Sequence, residues 1–221
     1  MRRFARHLPW MLLTMTALAA CARRAEVAFA PFRQVMLSAG KGFTDLPLGT
    51  PLSAFGTRFG NPDQVGAIAG DFYAAELIYC TQGLHFRFEM LPACVQGLQR
   101  AGRVVEGLGE LRRPGEFLAH HPECADSPLQ SVAAFAGTDG EGWFQGGTEQ
   151  GVKLGSEKDL VLRSHGPSQQ ARSVSLAGSS AEDSAFDELL YVNGLALYLG
   201  PVAGGGSWRV RRIVAFAPLH E

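Results

Sequence analysis

The sequence has no excess of positive charge, and its basic residues form no patch. It contains 20 lysines and arginines against 21 aspartates and glutamates, which gives a formal net charge of −1. Nucleic-acid-binding domains carry a strongly basic face, so the composition argues against a nucleic-acid partner. The chain also lacks the Gly-x-Ser-x-Gly elbow of many hydrolases and the Lys-Ser/Thr ending of a phosphate-binding loop. We therefore predict a protein that is not an enzyme and that uses no cofactor or metal.

Near its start the chain has a hydrophobic run that is too short for an ordinary membrane-spanning helix, which needs about 20 residues. This run, from Leu8 to Ala20, follows three arginines and ends in small residues, as in a secretory signal peptide. Residues 18–21, Leu-Ala-Ala-Cys, then resemble the lipobox of bacterial lipoproteins. The resemblance implies cleavage before Cys21, a diacylglycerol on its thiol and acylation, as with palmitate, of its new amino terminus. The alternative is an ordinary cleaved signal followed by a chance cysteine.

The residue after the lipobox bears on the membrane in which the protein resides. In enterobacterial lipoproteins an aspartate at this position favours the inner membrane, whereas this chain has Ala22. By resemblance we expect a lipid-anchored protein of the cell outer membrane that faces the periplasm. Its expected partners are the membrane, through the lipid, and an envelope protein.

The rest of the chain repeats itself. The matched segments occur in the same order in both halves, and most of their residues are identical or similar. The pairs are 48–50 with 154–156, 76–79 with 188–191, and 83–88 with 194–199. A fourth similarity, between residues 103–105 and 212–214, predicts that residues 102–111 and 208–217 are corresponding strands. The sequence therefore predicts an internal duplication.

Each unit begins with a short helix and continues with a strand hairpin. Leu52, Phe55 and Phe59 are spaced as one apolar stripe of a helix, and a glycine followed by proline ends it at Gly60. Leu160 and Val161 start the second stripe, which ends at Gly166. Residues 84–89 alternate between apolar and polar side chains, as in a half-buried strand.

The predicted fold class is α+β, with two tandem repeats that each pack a short helix on a small antiparallel sheet. Gln82-Gly83 and Asn193-Gly194 are the predicted hairpin turns, and residues 33–38 and 131–136 are candidate strands ahead of each helix. The predicted organisation is a signal peptide at 1–20, a tether at 21–32, a first repeat at 33–120, a linker at 121–130 and a second repeat at 131–221.

The turn–helix–turn pattern resembles the SmpA/OmlA family of outer-membrane lipoproteins. It runs from Leu48-Gly49 to Gly60-Asn61-Pro62 in the first unit and from Leu154-Gly155 to Gly166-Pro167 in the second. That family belongs to the barrel-assembly machinery and usually holds one unit, whereas two occur here. A tandem pair also resembles the fold of β-lactamase inhibitory proteins. The resemblance implies a non-catalytic binding or assembly module. The alternative is an inhibitor or regulator of an exported enzyme; a hydrolase is the least favoured interpretation.

Three cysteines remain after Cys21, and export places them in an oxidising compartment. Cys80 aligns with Val192 of the second unit, which predicts a small buried apolar position and a reduced thiol. Cys94 and Cys124 have no such counterparts, and both lie in connecting segments. We therefore predict a Cys94–Cys124 disulfide; the alternative is that all three thiols are free.

Two further motifs have competing interpretations. Trp143-Phe144 follows a glycine-rich turn, so this pair either packs between the units or contacts a partner. His120-His121-Pro122-Glu123-Cys124 contains metal-ligand residue types, but its spacing matches no structural zinc pattern. We interpret it as part of the connection between units.

Overall fold

The computed structural model describes residues 27–69, 73–102, 104–136, 143–175, 185–201 and 207–218. The predicted signal peptide, the lipid-attachment residue Cys21 and Ala22 lie outside the described residues. None of the described helices is long and apolar enough to cross a membrane.

The described residues form five helices and ten strands. The helices are α1 (Leu52–Phe59), α2 (Pro92–Ala101), α3 (Val104–Gly109), α4 (Pro114–His120) and α5 (Lys158–His165), with short 3-10 turns at Ala30–Phe32, Glu110–Arg112 and Pro122–Cys124. The strands are β1 (Gly42–Phe43), β2 (Leu46–Pro47), β3 (Gln64–Ile68), β4 (Ala74–Tyr79), β5 (Leu84–Glu89), β6 (Leu129–Phe135), β7 (Gln170–Ser175), β8 (Ala185–Tyr191), β9 (Leu195–Gly200) and β10 (Arg209–Phe216).

Strands β3 to β10 form one antiparallel sheet of eight strands in the order β3-β4-β5-β6-β10-β9-β8-β7. The first half of the chain supplies four neighbouring strands, β3 to β6, and the second half supplies the other four, β7 to β10. The halves meet where β6 pairs with β10, a junction that we call the seam. The α+β class is confirmed. The prediction of two small separate sheets is wrong, because the last strand of each half pairs with the other half.

The predicted third strand of the first unit is also wrong. Residues 104–109 form α3, and Val104, Leu108 and Leu111 are buried at helical spacing. The similarity of residues 103–105 to strand β10 is therefore only local. Strand β6 fills that place in the sheet instead, and it covers most of the segment 131–136 that was predicted to lead into the second helix.

The folded core includes residues of the segment 21–32, which was predicted to be a tether. Phe29 and Phe32 are fully buried and belong to the same core as the sheet. Residues 33–38, predicted as a strand, make only isolated bridges, in which Leu37 pairs with Thr148 and Ser38 pairs with Gly42. The Leu37–Thr148 bridge connects the beginnings of the two halves, whereas the Ser38–Gly42 bridge is local.

The core lies on one face of the sheet, which we call the core face. The predicted apolar stripe of α1 is buried there. The ring centroid of Phe55 lies 4.7 Å from that of Phe86 on β5, and the Phe86 ring also lies 6.3 Å from Phe59 and 5.9 Å from Phe29. Helix α5 packs on the same face through buried Val161, whereas Leu160 is exposed, contrary to its place in the predicted stripe.

The hairpin turns after β4 and β8 require glycine. Gly83 and Gly194 both have positive φ, at 59° and 93°, where a side chain is strained. A Cβ on Gly83 would also lie 2.4 Å from the carbonyl oxygen of Phe135, and one on Gly194 would lie 2.2 Å from that of Phe216. Close backbone approach at these turns fixes the register between each hairpin and the strand at the seam.

The long connection between β5 and β6 is a helical layer instead of a loop and a linker. Helices α2, α3 and α4 fill it, and α3 packs against the edge strand β3. Cys94 on α2 is joined to Cys124 in a disulfide with a sequence separation of 30, as predicted. Closing a loop of that length stabilises the fold by about 3–4 kcal/mol in the chain-entropy model.

Cys80 is unpaired, as predicted, but it is exposed and not buried. It lies directly after β4, where the chain turns away from the sheet, and Val192 occupies the corresponding turn after β8 and is also exposed. The prediction placed Cys80 and Val192 at buried apolar sites within strands, whereas β4 and β8 end one residue earlier. Tyr79 and Tyr191, one residue earlier, are the buried ones.

Candidate functional site

The face of the sheet opposite α1 and α5, which we call the open face, carries polar side chains in its middle and apolar ones around them. Cross-strand register places these side chains on one surface. The polar members are Glu76, His85, Arg87, Ser131, Arg172, Glu188, Tyr198 and Arg212, and the half-buried apolar members are Ile68, Ile78, Phe135, Val174, Phe186, Leu190, Val214 and Phe216.

Arg212 bridges the two halves across the seam. It lies on β10, and its Nη2 atom is 2.5 Å from Nδ1 of His85 on β5, although β6 lies between these strands. The β6 residue opposite His85 is Ala133, whose small side chain leaves room for the guanidinium. Because arginine only donates hydrogen bonds, Nδ1 of His85 accepts, and the imidazole is neutral in this arrangement.

The second nitrogen of His85 faces a carboxylate. Its Nε2 atom lies 3.5 Å from Oε1 of Glu76 on β4, longer than a normal hydrogen bond, and the His85 side chain is only 12% exposed. Burial lowers the pKa of His85, and the charges of Arg212 and Arg87 act in the same direction, against the raising effect of Glu76. The contact with His85 in turn lowers the pKa of Glu76.

The polar row continues from Arg212 into the second half. The Arg212 guanidinium lies 5.8 Å from the centroid of the Tyr198 ring, within cation–π range. The Tyr198 hydroxyl donates to Oε1 of Glu188 over 2.6 Å, and Arg172 on the edge strand β7 donates to the other Glu188 oxygen. The sheet thus holds one continuous polar chain from β4 to β7.

The carboxylate of Glu188 is stabilised in its charged form although it is buried. Burial raises its pKa, but hydrogen bonds from Arg172 and Tyr198 outweigh this effect and lower it. Burial and the bond to Glu188 raise the pKa of Tyr198 to about 12. All three groups therefore keep one protonation state near neutral pH, and His85 is the member of the row whose charge changes most easily.

Trp143 and Phe144, the two residues predicted to contact a partner, lie in different environments. Phe144 is 3% exposed and its ring lies 6.0 Å from Phe43, so it packs in the core and is not available to a partner. Trp143 is half-buried, with the Arg33 guanidinium 5.8 Å from its ring. Neither residue belongs to the open face. The prediction that Phe144 contacts a partner is therefore wrong, because its ring is buried in the core.

A concave site also lies among the helices between β5 and β6. A groove of about 540 Å³ lies beside the disulfide and is lined by Arg100, His120, His121 and Glu123 among others. His121 Nδ1 is 3.4 Å from Glu123 Oε1, and the sulfur of Cys124 is taken up in the disulfide. Within the described ranges, no three His, Cys, Asp or Glu side chains are grouped as a metal site would require.

Sequence reasoning missed the polar row because its members are far apart in the chain. His85 and Arg212 are 127 positions apart, and neither stands in a local motif. The available signals were the charged residues that alternate along β5 and the glutamates that recur at 76 and 188. Both signals show which side chains of a strand face away from the core, but not which side chains of other strands they contact.

The chain matched no family model, no curated protein and no solved structure in the comparisons.

Proposed function

We propose that this chain is a non-catalytic lipoprotein of the bacterial envelope that binds a protein partner through the open face of its sheet. The observation that carries the proposal is the composition of that face. Arginine and tyrosine are enriched among interface hot spots, and phenylalanine is enriched in interfaces generally; here all three are held together on eight paired strands. The lipid on Cys21 would keep this face at the membrane.

Burial supports the assignment of the open face as an interface. Phe186, Leu190, Val214 and Phe216 are half-buried on the isolated chain, so a partner that covers them removes further apolar surface from water. Among the polar groups between them, Arg172, Glu188 and Tyr198 already have hydrogen-bond partners within the row. Binding therefore does not have to leave Glu188 or Tyr198 without hydrogen bonds, which would be costly.

Rigidity also supports binding over catalysis. The open-face side chains project from strands, and the seam is fixed by five cross-strand residue pairs between β6 and β10. A surface ordered before binding loses less conformational entropy when a partner docks. A catalytic site needs a concave pocket that excludes water, and the polar row lies on a sheet surface instead.

We further propose that the halves are duplicated copies of one unit, because contacts recur at matching places. The Tyr79 hydroxyl donates to the carbonyl oxygen of Gly60 over 3.0 Å, and the Tyr191 hydroxyl donates to that of Gly166 over 3.2 Å. In both halves a helix precedes four antiparallel strands. The helical layer between β5 and β6 is then an insertion that only the first copy carries.

A second candidate function is inhibition of an exported enzyme. The specific observation in its favour is that both halves contribute to one uninterrupted face, which suits the closure of an active-site mouth by a rigid surface. The two candidates share the open face and differ in the partner. Loss of hydrolase activity when purified chain is added would favour inhibition.

The experiment that tests the proposal compares two leucine-to-alanine variants. We expect Leu190→Ala, on the open face, to lower recovery of the partner from detergent-solubilised membranes about tenfold, because the variant loses apolar area that the partner would bury. Leu162→Ala is the matched control, because Leu162 is 39% exposed on α5, on the other side of the sheet. Quantitative mass spectrometry of material that copurifies with each variant measures the effect.

The outcomes are distinct for the two variants. Equal recovery with both would argue against the open face, and loss with Leu162→Ala alone would move the interface to α5. Thermal unfolding of each variant shows whether the fold is retained.

A further inference from the structure

We infer that His85 is a pH-sensitive latch, whose protonation releases Arg212 from the seam and changes the surface that the open face presents. The inference extends the proposed function, on which its effect on binding rests. It stands on the position of one acceptor atom, the Nδ1 of His85, which takes a hydrogen bond from the Arg212 guanidinium 2.5 Å away.

Protonation removes that acceptor. An imidazolium carries a hydrogen on both nitrogens and can only donate, so Nδ1 of protonated His85 would direct its hydrogen at the guanidinium of Arg212. Two like charges at such a distance repel strongly in a half-buried site. The guanidinium therefore leaves Nδ1, whereas Nε2 of His85 remains beside the carboxylate of Glu76.

The surroundings of His85 define how the latch responds. On β4 its neighbours are Ile78, directly across, and Glu76, and on β6 its neighbour is Ala133. Arg87 lies on the same strand, and Arg212 reaches the ring from β10. Of these groups, the two arginines oppose protonation and Glu76 favours it, while burial opposes it most.

Release of Arg212 would change the middle of the open face. In the latched state the guanidinium lies across β6, between His85 and the ring of Tyr198. Once released, it leaves Ala133 and the middle of the seam uncovered and carries its charge to a new place. A partner that fits the latched surface therefore binds less tightly at acid pH.

The direction of the stability change follows from the lowered pKa. An unfolded histidine titrates near pH 6.5, and the folded His85 titrates below this value. The unfolded chain therefore binds more protons between the two values, so stability is fully present above about pH 6.5 and is lost as the pH falls toward the folded pKa.

The latch can be tested without a partner. In the purified full chain, nuclear magnetic resonance of the imidazole nitrogens should show His85 titrating below pH 6.5. The side-chain Nε–Hε signal of Arg212 should shift with the same midpoint. An Arg212 signal that is unchanged while His85 titrates would overturn the latch, as would a His85 midpoint at or above 6.5.

Variants separate the latch from ordinary histidine titration. His85→Gln cannot gain a charge, so it should abolish the pH-dependent shift of Arg212. The control is His165→Gln, because burial also lowers the pKa of His165, whose Nε2 contacts the Thr148 hydroxyl on the other side of the sheet. The control should leave the Arg212 shift in place, and loss of the shift in both variants would refute the assignment.

A binding measurement then tests the consequence. A photo-crosslinking residue is placed at position 214 in a chain that keeps His85. Its adduct yield should fall by up to about tenfold per pH unit below the His85 midpoint, since release of the partner is linked to the uptake of one proton. In His85→Gln it should stay constant. A fall that persists in that variant contradicts the role of His85, whereas an absence of adducts at every pH refutes the proposed function and leaves the resonance result to decide the latch.

Discussion

Replacing Cys21 with serine is expected to abolish incorporation of labelled palmitate and to release the chain from the membrane fraction. Serine lacks the thiol that accepts the diacylglycerol, so neither lipid modification nor cleavage by the lipoprotein route can follow. Stable anchoring needs more than one acyl chain, and the variant would carry none. Metabolic labelling and fractionation of cells that express the variant measure the effect.

Cys80→Ser is the matched control for this prediction. Cys80 is an unpaired cysteine that is exposed on the folded domain, but it stands in no lipobox. Labelling and membrane association should be unchanged in this variant. Unchanged labelling in Cys21→Ser would contradict the lipoprotein assignment.

Replacing Phe86 with alanine is expected to lower the free energy of unfolding by about 3–5 kcal/mol, the usual cost of a large cavity in a core. Phe86 is fully buried, and the rings of Phe55 and Tyr79 lie 4.7 and 6.0 Å from it. Removing the ring therefore leaves several aromatic side chains without a packing partner. Equilibrium denaturation with urea measures the change.

Phe216→Ala deletes the same atoms from the open face, where the ring is only half-buried. Its cost should be clearly smaller, because less surface returns to water. If Phe86→Ala is too unstable to purify, Phe86→Leu fills more of the cavity and should show a reduced loss. Equal losses for Phe86→Ala and Phe216→Ala would contradict the assignment of the core face.

Local features of the fold could be predicted from the sequence, since they depend on residues close together in the chain. The stripe of Leu52, Phe55 and Phe59 predicted α1, and the glycine turns predicted both hairpins. The disulfide followed from the positions of the cysteines relative to the repeats. The prediction of α3 as a strand failed because three similar residues were matched without regard to the helical spacing that follows them.

The seam and the polar row could not be predicted, because both depend on pairing between distant segments. Nothing local to β6 or β10 indicates that they lie side by side, with Ala133 opposite Val214. That pairing alone brings Arg212 toward His85. The alternation along β5 predicted which side chains face outward, but the sheet order decides which of them meet.

Site-specific photo-crosslinking in living cells tests the central claim, binding through the open face, most directly. One crosslinking residue is placed at Ile78 or Val214 on the open face, and in parallel at Thr57 or Leu162 on exposed helix surfaces of the other side. The account predicts adducts of one defined larger mass from the two open-face positions and none from the helix positions. Adducts from the helix positions alone, or from no position at all, would contradict it.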